Sequence, residues 1–284
     1  MTTTALASAP APAPAPAQTV VHKVTGRRVL RSEWAKFWSL RSSWITLGVA
    51  VLLLIALGAI ASATYSPDAT TGQPPGPGSG SGTQDAVSLA LLGSSFASLA
   101  VGVLGVLMSA GEYTTGMIRS TLAAVPRRLP VLWTKSAVIG LITLVATTIG
   151  ALAAFQLGTL GLHGDKIALS LGDDGVLRSL VGAGVYLGLV AVFGVGLGVL
   201  LRSSAGAIAV LVGVLLILPG LANLLPDSWY NTINPYLPSN AGSSMYALHQ
   251  AAHTLSPGAG LAVFAGWVAL TLAGAALRLV RTDA

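Results

Sequence analysis

The chain has 284 residues, 53% of them hydrophobic and 8% charged, with a formal net charge of +6 and a mean hydropathy of +0.76. An average soluble domain carries about 25% charged residues, so this composition excludes a water-covered surface and indicates a membrane protein. The basic residues flank apolar runs, which fits anionic headgroups and topology and argues against nucleic acid as a partner; the absence of cysteine removes disulfides, thiol catalysis and Cys-based metal sites.

Residues 1–24 open the chain with Ala-Pro repeats from Ala9 to Ala17 and read as a disordered, extended Ala/Pro-rich tail. A secretory signal is not expected, because the start lacks a positive charge and proline interrupts any apolar stretch. Residues 25–43 form a separate amphipathic helix. Val29, Leu30, Trp34, Phe37 and Trp38 recur at three- and four-residue spacing, whereas Arg27, Arg28, Arg31, Ser32, Lys36 and Arg41 take the other side. A basic helix with a Trp/Phe face lies in the membrane interface.

Residues 44–284 form a six-span membrane domain, with apolar runs starting near Trp44, Ala86, Lys135, Val176, Gly206 and Pro257. Each can cross a hydrocarbon core of roughly 30 Å as about 20 helical residues. The spacing predicts spans over Trp44–Ala63, Ala86–Ala110, Lys135–Leu160, Val176–Leu201, Gly206–Leu225 and Pro257–Val280. Pro67 to Gly82 read as a flexible linker. Gly184, Gly188, Gly194 and Gly198 place two small-xxx-small pairs on the fourth span, where another helix can approach closely, in this chain or in a second copy. Pro219-Gly220 should kink or end the fifth helix. The 226–256 segment predicts one or two short helices, with His249 and His253 on one helical face; two histidines without a third ligand make no zinc site. The fold class is therefore all-α: six transmembrane helices, an interfacial amphipathic helix and a short helix between the second and third spans.

Orientation follows from the charges. Thirteen of the fifteen Lys and Arg residues fall on one side of the six-span pattern; Lys166 and Arg178 fall on the other. Basic loops stay in the cytoplasm, so both termini are expected there, as in a multi-pass protein of the plasma membrane.

No Gly-x4-Gly-Lys-Ser/Thr loop, Gly-x-Ser-x-Gly elbow or His-Glu-x-x-His site occurs in the sequence. The chain is thus expected not to be an enzyme by itself and to need neither cofactor nor metal. Glu112 stands out, as the sole acid at the basic end of the apolar region. An acid at that depth costs a few kcal/mol unless paired or hydrated, and Arg119 and Lys135 are the partners the sequence offers. After it, Gly116 breaks the helix, a short helical piece runs through Ala124, and Val125-Pro126 stops it.

Glu112-Tyr113-x-x-Gly116-x-Ile118-Arg119-x-x-Leu122, followed by Pro126-x-Arg128 and Lys135, resembles the cytoplasmic signature of type-2 ABC transporter permeases. Glu33-Trp34-x-Lys36-Phe37 with Arg41 resembles that family's amphipathic connecting helix, and Asn234-Pro235-Tyr236-Leu237-Pro238 the stretch before its last span. The likeness covers about residues 25–284 and departs at Met117, where the family commonly carries Thr. It implies an ABC exporter membrane subunit working as a homodimer over two copies of a separately encoded ATPase. Residues 117–124 would match the coupling helix, with Glu112, Gly116, Met117, Ile118, Arg119 and Leu122 serving coupling and docking. Trp34, Lys36, Phe37, Trp38 and Arg41 would serve the interfacial helix against membrane lipid. A wall of Ala, Gly, Leu and Val suits a hydrophobic or amphipathic substrate. The competing reading is a non-transporting anchor or assembly protein that recruits a cytoplasmic partner. A proton-coupled carrier fits less well, because it needs protonatable groups near the midplane.

Overall fold

The computed structural model describes residues 26–65, 85–118, 121, 128–162, 167–251 and 253–281. The tail over 1–24, the 67–82 linker, Arg119 and Leu122 lie outside the described residues. Among those described there is no strand. Helix α1 (Gly26–Ser39) meets α2 (Arg41–Ala63) at Leu40, whose backbone is extended. Next come α3 (Ala86–Ala90), α4 (Ser94–Thr114), α5 (Leu129–Gly161), α6 (Val176–Leu201) and α7 (Ser204–Ala222). The chain closes with α8 (Asp227–Ile233), α9 (Pro238–Ser244) and α10 (Pro257–Arg281). Helices α2, α4, α5, α6, α7 and α10 are long and apolar enough to cross a membrane, which gives the six spans. Helices suit that role because every interior backbone group is satisfied within the segment.

Several boundaries differ from the expected ones. The stretch expected as one second span is two helices. Asp85 and Ser88 close a capping box on α3, and the chain then turns at Gly93. There a methyl group would stand 2.5 Å from the Leu53 carbonyl oxygen, so only glycine lets the turn lie on α2. The third span begins at Leu129 rather than Lys135, with Pro130 in its first turn, where a missing N–H costs nothing. At 33 residues it is about 50 Å long, well beyond a hydrocarbon core of roughly 30 Å. The overhang sets Lys135 inside the helix but near its end. The fifth span carries a π-helical turn at Gly213–Ile217 just ahead of Pro219 and ends at Ala222.

Helix α6 is the most buried span and packs against α4, α5 and α10. Its glycines explain the closeness. A methyl group at Gly194 would stand 2.2 Å from the Gly102 carbonyl oxygen of α4, and one at Gly198 would stand 2.0 Å from Ser109 Oγ. Gly184 and Gly188 meet Thr148 and Leu144 of α5 in the same way. All four positions are therefore used within the chain, and they offer no approach surface to a second copy, contrary to that part of the sequence reading.

At the end opposite the basic residues, α9 packs into the bundle. A methyl group at Gly242 would run into the Tyr186 ring, Tyr246 and Ser94 share a hydrogen bond of 2.9 Å, and Trp267 Nε1 donates to the Tyr236 carbonyl at 3.1 Å. Among the described residues of the 226–256 segment there are thus two short α-helices with a 3-10 turn at Asn234–Tyr236 between them, and none of these holds the histidines. The helix stops at Ser244, and His253 has a left-handed φ of 61°. His249 and His253 therefore share no helical face, because the second helix ends before either is reached.

Candidate functional site

The basic ends of α4 and α5 lie side by side, and α1 lies against them. Glu112 is in the last turn of α4, Lys135 in the second turn of α5, and Glu33 and Lys36 follow each other by three residues on α1. Their side chains close a ring of alternating charge. Glu33 Oε1 accepts from Lys36 Nζ at 2.8 Å, and Glu33 Oε2 pairs with Lys135 Nζ at 2.7 Å. Glu112 Oε1 accepts from both lysines, at 2.9 Å each. Glu33, Glu112 and Lys135 are buried, and Lys36 is half-buried. Two carboxylates and two ammonium groups sum to zero, which is the condition for keeping ionised groups in such a place.

Each lysine has a third partner. Lys135 also donates to the Met108 carbonyl at 3.2 Å, and Lys36 reaches Thr121 Oγ1 at 3.5 Å. Burial opposes the charge on Lys36, but hydrogen bonds and charge from Glu33 and Glu112 outweigh it and hold its pKa above the ordinary lysine value. The ring thus joins α1, the end of the second span, the start of the third, and the segment that follows Gly116.

Glu33 is the member that the sequence reading missed. The expected apolar face of α1 is in fact split. Val29, Glu33 and Phe37 are buried at i, i+4 and i+8, whereas Leu30, Trp34 and Trp38 are exposed. Glu33 sits in the middle of the inward stripe, and its spacing of three from Lys36 was the available signal. Likewise Glu112 is not the sole acid of this region, since Glu33 lies beside it. Trp38 packs against Trp44 at a tilt of 46° with ring centroids 4.1 Å apart, and Phe37 meets Trp44 edge-on at 5.2 Å, so aromatic contacts brace the bend at Leu40. Arg41 is exposed at that bend.

Beyond α4, Gly116 has a φ of 72°, a left-handed conformation that favours glycine. Met117 after it is exposed, while Ile118 is buried against a small cavity lined also by Ser109, Glu112, Tyr113 and Lys135. Of the two, Met117 is thus the residue presented outward. The Arg202 guanidinium lies over the Tyr113 ring, 5.2 Å from its centroid. Arg278 donates to the Leu200 carbonyl and Arg128 to the Leu279 carbonyl at 3.1 Å. These guanidinium groups neutralise the carbonyl ends of α6 and α10. Among the described residues, no group of three or more His, Cys, Asp and Glu could hold a metal ion.

No protein-family model matches the chain, and no curated protein matches it.

Proposed function

We propose that this chain is the membrane-spanning subunit of an ABC-type exporter, powered by a separately encoded ATPase that docks at the basic end. The observation that carries this reading is the closed ring of Glu33, Lys36, Glu112 and Lys135. It ties an interfacial helix to the ends of two spans, directly beside an exposed residue, Met117. A push on the Met117 segment would pass through Lys36 to α1 and through Glu112 and Lys135 to α4 and α5. Rigid-body displacement of those helices is a means by which nucleotide-driven closure beneath the membrane can reshape a path through it.

The basic end faces the cytoplasm in this reading, by the excess of Lys and Arg there, and the protein is a multi-pass component of the plasma membrane. Two copies of the chain pair over two ATPase subunits. The substrate is hydrophobic or amphipathic, in keeping with the scarcity of polar side chains on the spans.

The test is affinity purification of the full chain from its native membrane in mild detergent, with an ATPase assay on what co-purifies. A stoichiometric nucleotide-hydrolysing partner supports the exporter. A chain that purifies without one favours the anchor reading, in which the same surface recruits a cytoplasmic protein and moves nothing.

A further inference from the structure

Four arginines gather where α5 begins and α6 and α10 end. Arg128 immediately precedes α5 and donates to the Leu279 carbonyl at 3.1 Å. Arg278, one residue before Leu279, donates to the Leu200 carbonyl of α6. Arg202, two residues after Leu200, caps α6 in a left-handed conformation with a φ of 55°. It lies over the Tyr113 ring, and the Arg278 charge bears on the hydroxyl of that same tyrosine. Arg281 ends α10 in the same last turn as Arg278. Arg128 and Arg202 are half-buried, whereas Arg278 and Arg281 are exposed.

These helix ends carry more positive charge than the chain around them returns. The C-termini of α6 and α10 each present about half a negative charge. Of the nine acids in the sequence, two belong to the Glu33–Lys36–Glu112–Lys135 ring, which is neutral in itself. One more is Asp283, outside the described residues, and the other six fall in the sequence between spans that join at the opposite end. A net positive charge is left on the arginine group even with Asp283 counted against it.

Apolar side chains stand exposed next to these charges: Leu277 and Val280 on α10, and Leu129 and Trp133 on α5. Leu277, Val280 and Arg281 are spaced i, i+3 and i+4, so they share one helix face. A guanidinium fork matches the paired oxygens of a phosphate, and an exposed apolar flank suits acyl chains. Basic pockets between membrane helices are settings that hold anionic headgroups. We propose that one anionic phospholipid binds here, its phosphate on Arg202 and Arg278 with Arg128 and Arg281 beside them, and its acyl chains along Leu277 and Val280. The lipid joins the ends of α5, α6 and α10, as the ring joins α1, α4 and α5. A zwitterionic lipid brings a cation of its own and is held less well. The site does not rest on the exporter reading, because it needs only this chain and its membrane.

The test is native mass spectrometry of the full chain, purified in detergent, stripped of lipid and titrated with phosphatidylglycerol or phosphatidylcholine of the same acyl chains. The expected result is tighter binding of the first phosphatidylglycerol than of the first phosphatidylcholine. That affinity falls about fivefold for each arginine removed in Arg202→Gln, Arg278→Gln and the double variant. It stays unchanged in Arg31→Gln, which removes an exposed charge from α1. If the helix-end variants do not fold, Arg281→Gln at an exposed position carries the comparison. Equal affinity for the two lipids would overturn the proposal. So would an equal loss in Arg31→Gln, which would mean attraction by overall charge, or displacement of the lipid by equimolar inorganic phosphate, which would mean a site for the free ion.

Discussion

Glu33 and Lys135 form the shortest ion pair of the ring, 2.7 Å between Oε2 and Nζ, and both side chains are at least 96% buried. One residue comes from α1 and the other from the third span. This single contact therefore fixes the helix before the first span onto the helix after the second.

Removing one charge from the ring should be costly. Lys135→Met leaves Glu33 and Glu112 facing each other with Lys36 as their one shared ammonium, and breaking a buried pair in this way costs about 3–5 kcal/mol. The expected outcome is a large drop in the thermal midpoint of the purified chain. A midpoint within a degree of the natural protein would mean that the ring is solvated and contributes little.

The pairwise part of that cost can be isolated. In a cycle of Glu33→Gln, Lys135→Met and the double variant, residues of one ion network should couple by about 0.5–3 kcal/mol. The double variant should then be less destabilised than the two single variants added together. Simple additivity, measured by denaturant unfolding, would show that Glu33 and Lys135 act separately.

The ring also sets a sign for the alkaline response. The pKa of Lys36 is raised above its ordinary value of 10.5 in the folded chain. Its stabilising contribution is then complete below about pH 10.5 and is lost as the pH climbs through the raised value. Stability against pH should stay level in this respect through neutrality and fall only above that point. Lys36→Met should flatten that alkaline fall, and thermal midpoints measured between pH 8 and pH 12 check it.

Two glycines of α4 make a matched pair. A methyl group at Gly105 would stand 2.0 Å from the Ala191 carbonyl oxygen of α6, whereas one at Gly111 meets nothing within 4 Å. Gly105→Ala must push two backbones apart and should cost about 1–3 kcal/mol. Gly111→Ala should be neutral or stabilising by about 0.4–1 kcal/mol. Equal midpoints for the two variants would contradict the tight seam between α4 and α6.

Met117 and Ile118 should behave differently although they are neighbours. Met117 is exposed, so Met117→Asp should leave the fold intact and release the proposed ATPase subunit on purification. Ile118 is buried, so Ile118→Asp should instead lower stability by a few kcal/mol through an unpaired buried charge. A partner retained by folded Met117→Asp protein would remove Met117 from the proposed docking surface.

Much of the fold was legible in the sequence because the bilayer imposes length and polarity on each span: the Val176–Leu201 span matches to the residue. The break at Gly93 was not legible, since it depends on α2 lying behind it. The ring was half legible. Glu112 and Lys135 drew notice as charges at the edge of apolar runs, but Glu33 sits among arginines and tryptophans in a helix whose sides look interchangeable. Which side faced inward was decided by burial of Val29 and Phe37, and local spacing cannot distinguish that stripe from the Trp34–Trp38 stripe one residue away.

The joint between α1 and α2 carries its own optical label. Trp38 and Trp44 lie on opposite sides of the bend at Leu40, with ring planes 46° apart and centroids at 4.1 Å. Indole transitions held so close couple strongly, and the sign and size of that coupling depend on the angle between the rings. The near-ultraviolet circular dichroism of the unlabelled protein will therefore register any swing of α1 against the first span.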